Sequence, residues 1–321
     1  MKLSIVIPTY NRTKLLINLV DSIIKIMPKW VELVVLDNSS PNSDLFEDHF
    51  SNEINNGSIR FIKHKYNVEG NENILRCFEH AQGDWIWVLG DDDIIYPKTF
   101  EIINESLNNI ANKDIFFIHF NWEHNKFYKN TDQIYCFESL FKSIHSLGDL
   151  NFISSNIIKR DSIKSFSGLL HFYQLSATPI ASIALLGLDN KLGSILLSNN
   201  QIVENGFYSI EKENEDHWDI ELVLSCISIL ASYPFSVENK KFIIREINKI
   251  CTISIAFKSS IRQYFKSNNR IEAVFTFKEI LKLKLIYGSI LNKINIEIIS
   301  IFILFSIKNI CKILSFQKKI K

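Results

Sequence analysis

The stretch Gly83-Asp-Trp-Ile-Trp-Val-Leu-Gly-Asp-Asp-Asp93 decides the fold of this chain. Gly83 and Asp84 are turn residues, Trp85 to Leu89 is an apolar run of strand length, and Asp91, Asp92 and Asp93 follow it directly. A short, wholly apolar strand belongs inside a sheet covered on both faces, which is the usual condition of parallel strands. Polar groups just past such a strand lie where α/β domains collect their ligands. Three adjacent carboxylates repel one another unless a cation or hydrogen-bond donors compensate them, and hard divalent cations take oxygen ligands. The triplet therefore reads either as a cation site or as an acidic turn capping the helix behind it.

The flanking sequence supports the sheet. Leu3 to Ile7, closed by Pro8, and Val31 to Leu36, closed by Asp37, Asn38 and Ser39, are β-branched runs that predict two more buried strands. Between them Leu15, Leu16, Leu19, Ile23 and Ile24 recur at helical spacing, which gives a strand–helix–strand unit and parallel pairing. The alternation continues with a strand at Ile59 to Lys63 and a helix at Asn71 to Ala81. A helix at Phe100 to Ile110, a strand at Ile115 to Phe120, a polar stretch to Asn130 and a strand over Asn151 to Lys159 follow. The expected class is α/β: a Rossmann-like, mixed but mostly parallel sheet flanked by helices.

After Glu204 the pattern changes to long segments of Ile, Leu, Phe and Lys with little Gly or Pro, which predicts helices from Asp219 onward. We expect a catalytic domain over residues 1–205 and a basic, helical region over 206–321. The chain's 321 residues carry 46% hydrophobic and 22% charged residues, which excludes wholesale disorder. The formal net charge of +1 conceals a lysine-rich C-terminal third. There, Ile271 to Leu291 and Ile294 to Leu314 read as amphipathic helices for peripheral contact with a membrane or a partner. The apolar core of the second, Ile298 to Ile307, is short of the roughly 20 residues a membrane span needs. Apolar residues between the lysines argue against nucleic acid. Five cysteines, at 77, 136, 226, 251 and 311, have no metal-binding or disulfide spacing. With no signal-peptide pattern at the start, the expected location is the cytoplasm, at the inner face of the membrane if the C-terminal helices bind it.

At the ends of the strands, Tyr10 reads as a core aromatic or a stacking surface for a base, and Asp37 as a turn residue or an acceptor for a nucleobase or ribose. Together with the triplet they suit a nucleoside diphosphate. Ser4-Ile-Val-Ile-Pro-Thr-Tyr-Asn-Arg12, Val34-Val-Leu-Asp-Asn-Ser-Ser40 and the stretch ending at Asp93, with Pro97 beyond it, resemble in order and spacing family 2 of the inverting glycosyltransferases.

The resemblance covers roughly residues 1–100 and implies a GT-A fold and a nucleotide-diphosphate sugar donor, a UDP-sugar foremost, with Mn2+ or Mg2+ on its phosphates. It places Pro8, Thr9, Tyr10, Asn11, Arg12 and Asp37 around the donor, and Asp91, Asp92 and Asp93 at ribose and metal. Asn67, Gly70, Asn73 and Arg76 fall where the family has a loop and helix near the nucleotide, although Asn73-Ile-Leu-Arg76 departs from the Ala-Arg-Asn that many members carry there. The acceptor implied is a hydroxyl of a glycan or lipid-linked glycan of a bacterial surface polysaccharide.

An inverting transfer needs a base for the acceptor hydroxyl. The stretch where the family has a carboxylate pair reads Gly168-Leu-Leu-His-Phe-Tyr-Gln-Leu-Ser176, with none. His171, Asp149 and Asp216 are the candidates, and Asp161 is a further carboxylate in range. The missing carboxylate also leaves a second reading, a non-catalytic nucleotide-sugar-binding or scaffold protein on the same fold.

Overall fold

The computed structural model describes residues 2–122, 132–144, 147–172, 179–204, 206 and 233–250. The chain divides into two compact units, 1–215 and 216–321. In the first, β1 (Leu3–Thr9), α1 (Thr13–Ile26), β2 (Val31–Asp37), α2 (Asp44–His49), α3 (Ser51–Asn55), β3 (Ile59–Lys63), α4 (Gly70–His80) and β4 (Trp85–Val88) make the alternating half. There follow β5 (Ile94–Ile95), α5 (Thr99–Asn109), β6 (Ile115–Asn121), β7 (Asp132–Ile134), α6 (Phe137–Ser143), β8 (Asn156–Lys159), α7 (Arg160–Ile163), α8 (Ser167–Phe172), α9 (Pro179–Asp189), β9 (Ser194–Gln201) and β10 (Val203–Glu204).

Eight strands form one sheet in the order β3-β2-β1-β4-β8-β6-β9-β7. β3, β2, β1 and β4 are mutually parallel, β8 is antiparallel to both neighbours, β6 and β9 are parallel, and β7 closes the edge antiparallel to β9. This is the mixed, mostly parallel α/β sheet that the sequence predicts. Ile5, Ile7, Leu33, Val35 and Trp87 are fully or almost fully buried and pack in one core with Leu16, Leu19, Val20 and Ile23 of α1. Removing an aliphatic side chain of this kind from water contributes roughly 1.5–3 kcal/mol. Pro8 is tolerated in a central strand because the pairing with β4 stops at Val6↔Val88, so its missing N–H falls where only β2 lies alongside.

The strand expected over Asn151 to Lys159 is β8 alone; residues 147–151 and 153–155 form two 3-10 turns. The local side chains explain the difference. Asn156 donates from Nδ2 to the carbonyls of Leu150 (3.2 Å) and Phe152 (2.6 Å), and the Ser155 hydroxyl donates to Phe152 O (2.7 Å). These bonds offer the backbone an alternative to a ladder. Cys77 is buried and Cys136 exposed, both free. In the second unit α10 (our label for Val237–Ile250) is a helix with Ile243 buried, and the rings of Tyr233 and Phe235 stack at 5.7 Å. The amphipathic segments expected at 271–314 lie outside the described residues, as do Cys226, Cys251 and Cys311. No helix among the described residues is long and apolar enough to cross a membrane.

α9 is buried from Pro179 to Leu188, and a Cβ placed on Gly187 would overlap the ring of Phe116 on β6. Two effects oppose each other at this position. Helix propensity favours Gly187→Ala by up to about 1 kcal/mol, whereas overpacking against a buried ring costs about 1–3 kcal/mol. The net expectation is a loss of stability, read as a lower urea midpoint; a variant at least as stable as the parent would show that the helix can move off the sheet.

Candidate functional site

The strand order reverses between β1 and β4: the chain leaves β1 toward β2 on one side, and β4 pairs on the other. The crevice beyond the carboxyl ends at such a switch point is the usual ligand site of an open α/β sheet. Two loops line it. After β1, Asn11 adopts the left-handed region at φ 56°, and after β2, Ser39 does so at φ 68°. Backbone of this kind persists only where the surroundings hold it. Here Asn38 N–H donates to Thr9 O (2.9 Å), Asn11 N–H to Ser40 Oγ (2.8 Å), and Ser40 N–H to Asp37 Oδ2 (2.9 Å). Asp37 is buried, and one of its oxygens is committed to bracing the β2 loop.

Asn38 closes the next ring of contacts. Its Nδ2 donates to Asn67 Oδ1 (2.7 Å) and Val68 O (2.8 Å), and its Oδ1 accepts from Val68 N–H (3.0 Å). The loop leading into α4 is thereby clipped to the end of β2. It forms one wall of a cavity of about 750 Å3 lined by Tyr10, Asn38, Asn67, Val68, Glu69, Gly70, Glu72 and Arg76. Tyr10 is half-exposed over this space. Of the residues expected at the donor, Tyr10, Asn67, Gly70 and Arg76 meet at the cavity; Asn73 is buried in α4 and is not among its lining residues. Glu69 and Glu72 also line it, and the sequence does not mark them, because acids at a helix's N-cap and first turn read as ordinary dipole-compensating residues. In sequence Asn38 reads as a turn residue closing a strand, and its pinning role needs the strand pairing to become visible.

The aspartate triplet sits on a tight turn between β4 and β5, and its members diverge. Asp91 is buried; its Oδ2 accepts from Thr9 Oγ1 (2.7 Å) and its Oδ1 lies 3.1 Å from Arg12 Nη1. The same Nη1 is 2.9 Å from Asp92 Oδ2. Burial pushes the Asp91 carboxyl above its ordinary value, against the opposing pull of Thr9 and Arg12. Asp93 points away, accepting from the Ser154 hydroxyl and, at 3.3 Å, from Gly206 N–H. Burial raises it to about 7, Ser154 working against the shift and Asp92 with it. Gly206 packs so closely that a Cβ there would overlap the Asp92 carbonyl oxygen, and β10 beside β5 sets that approach.

No three His, Cys, Asp or Glu side chains converge as a metal group among the described residues. Asp91 and Asp92 do converge on a single cationic nitrogen. Two carboxylates sharing one positive centre form an oxygen donor set that fits a hard divalent cation completed by phosphate oxygens, whereas Asp93 is occupied by protein donors.

The three candidate bases fall in different places. His171 on α8 has Nδ1 3.1 Å from Glu72 Oε1 and Nε2 3.4 Å from Glu79 Oε1, so both ring nitrogens face carboxylates of α4. Asp149 is buried in the first 3-10 turn, and Asp216 lies outside the described residues. Pro8, Thr9, Asn11 and Arg12 frame the β1 end, Thr9 and Arg12 through Asp91 and Asn11 through the β2 loop.

A mixed, mostly parallel sheet with its crevice at the β1/β4 switch point and an aspartate turn at the end of β4 is the GT-A fold that the resemblance implies and that the solved mannosyltransferase described below shares. Residues 4–160 match the model of glycosyl transferase family 2, and this part of the chain belongs to that family. An uncharacterized glycosyltransferase, MG060 of Mycoplasma genitalium, is 35% identical over 112 residues, covering 33% of this chain and 37% of that protein. The abequosyltransferase RfbV of Salmonella typhimurium is 25% identical over 186 residues, covering 50% of this chain and 54% of that protein. The chain thus spans about half or less of these relatives' lengths. Among solved structures, the mannosyltransferase PcManGT of Pyrobaculum calidifontis, in complex with GDP-Man and Mn2+, shares the fold at TM-score 0.55 and 10% identity, over 90% of this chain and 76% of that one.

Beneath the site, His119 of β6 is fully buried opposite Asn156 of β8, with Nδ1 2.7 Å from Asn156 Oδ1 and 3.3 Å from Ser155 Oγ. Burial lowers its pKa from 6.5 to about 4. Between those values the unfolded chain binds a proton that the native imidazole refuses, so stability falls as pH drops from 6.5 towards 4, by up to about 3 kcal/mol. Urea unfolding across that window should show this slope in the parent and a shallower one in His119→Gln; equal slopes would assign the acid sensitivity to other groups.

Proposed function

We propose that this protein is a metal-dependent, inverting glycosyltransferase that moves a sugar from a nucleotide-diphosphate donor, a UDP-sugar foremost, to a hydroxyl of a glycan or lipid-linked glycan. The observation that carries the proposal is the convergence of Asp91 and Asp92 on one cationic centre beside the cavity-lining Tyr10, within a family 2 domain. The Mn2+ and GDP-Man bound by the mannosyltransferase that shares the fold support a donor of this kind.

In this reading Tyr10 offers a face to the base, while Asn38 and Asn67 hold the cavity wall in which Glu69, Glu72 and Arg76 meet the nucleoside. A divalent cation held by Asp91 and Asp92 would take up the charge that develops on the departing diphosphate. The acceptor oxygen attacks the anomeric carbon opposite the leaving group. One carbon–oxygen bond forms as the bond to the diphosphate breaks, and the hydroxyl proton passes to a base. His171, Asp149 and Asp216 are the groups proposed for that proton. The lysine-rich C-terminal segments, read from the sequence as amphipathic, would bring the enzyme to a lipid-linked acceptor if they meet the inner face of the cytoplasmic membrane.

The test is donor hydrolysis and binding across UDP-, GDP-, CMP- and dTDP-sugars with Mn2+ or Mg2+. One nucleotide should be released in a metal-dependent way, and Asp92→Asn should reduce that release by about a hundredfold or more while the protein stays folded. Binding without turnover in the presence of glycan acceptors would favour the scaffold reading. Folded protein that binds no donor would sink both.

A further inference from the structure

Arg12 is held by the triplet in an unusual manner. A guanidinium normally meets a carboxylate as a fork, two nitrogens on two oxygens. Here the single Nη1 stands 3.1 Å from Asp91 Oδ1 and 2.9 Å from Asp92 Oδ2, bridging two different carboxylates as a point cation does. The Asp91 side chain is only 8% exposed, and a desolvated carboxylate beside a second one needs a counter-charge.

The guanidinium itself is loosely anchored. Arg12 is 47% exposed along its side chain, makes no capping bond to α1 although it occupies the N-cap position, and follows the left-handed Asn11. Its head is therefore free to leave without disturbing the core.

We propose that Arg12 is a built-in counter-ion standing where Asp91 and Asp92 receive a divalent cation, so that cation and guanidinium exclude each other. This rests on the reading of Asp91 and Asp92 as cation ligands. The consequence is a linkage between cation and donor. A bare cation has to displace Arg12, leaving the guanidinium without a partner. A cation arriving with a diphosphate brings the guanidinium a new anionic partner. The resting protein then binds free metal poorly and binds it well only together with a nucleoside diphosphate.

The experiment is Mn2+ titration of the full chain, followed by the EPR signal of free Mn2+, with and without UDP or GDP. Parent, Arg12→Gln and Arg12→Lys are compared, and circular dichroism confirms that each is folded. Arg12→Gln should bind bare Mn2+ roughly two- to fivefold more tightly than the parent, the scale expected for releasing a half-exposed ion pair. Arg12→Lys, which keeps a point charge, should stay near the parent, and the gain in Mn2+ affinity on adding nucleotide should shrink in Arg12→Gln. If bare Mn2+ binds Arg12→Gln no more tightly than the parent, the exclusion is wrong while the cation site stands. If no protein binds Mn2+ with or without either nucleotide, the cation site itself is wrong and the exclusion falls with it.

Discussion

The arrangement of the whole site depends on the central position of β1, paired in parallel with β2 on one side and with β4 on the other. Parallel pairing brings the carboxyl ends of all three strands to one edge. The residues that follow them, Thr9 to Arg12, Asp37 to Ser40 and Asp91 to Asp93, therefore meet although they are far apart in sequence. The hydrogen bond from Thr9 to Asp91 and the backbone bond from Asn38 to Thr9 are the local expression of that constraint. Shifting β4 by one residue would dissolve the contact from Thr9 to Asp91, and shifting β2 would dissolve the one from Asn38 to Thr9.

Electrostatics sets the second level of organisation. A carboxylate removed from water has to be met by donors or charge, and the site answers this differently at each acid. Asp37 takes a backbone N–H of its own loop, Asp91 a hydroxyl and a guanidinium, and Asp93 a hydroxyl and a distant backbone N–H. Burial pushes the Arg12 pKa down, but Asp91 and Asp92 raise it above its ordinary value, so it carries its charge throughout the working pH range. The cavity wall follows a different logic. Amide-to-amide and amide-to-backbone bonds from Asn38 fix its shape without fixing a charge, while the charged groups of the lining are Glu69, Arg76 and Glu72, the last of them paired with His171.

How much of this was legible in the sequence follows from the range of the interactions. β1, β2, β3, β4 and α4 are local patterns, and their predicted limits fall within one or two residues of the observed ones at nearly every end. The segment before β8 reads as strand but folds as turns, because Ser155 and Asn156 side chains make those turns and no periodicity records their competition with a ladder. Strand β9 and helix α9 were not predicted at all. The all-round burial of α9 erases the amphipathic stripe that marks a helix. At the site, residue type offers Tyr10 as a stacking surface and the family resemblance places Asn67, Gly70 and Arg76 near the nucleotide, whereas Glu72 is seen at the cavity and against His171 only in the fold.

The triplet shows why adjacency in sequence is a poor guide to shared chemistry. On this turn the three consecutive side chains do not converge: Asp91 and Asp92 share Arg12, while Asp93 is turned to Ser154 and Gly206. The inward member has a function of its own. Ser154 also accepts from Gly90 N–H at 2.8 Å, and Trp87 Nε1 donates to Ser154 O at 2.7 Å. One serine thus ties the end of β4, the turn and the 3-10 segment into a single unit. Replacing Asp93 would loosen the platform on which Asp91 and Asp92 stand, so loss of activity in such a variant would not by itself make Asp93 a ligand. Separating the two roles requires a measurement on the cation as well as one on the reaction, since in the function proposed above the cation falls to Asp91 and Asp92.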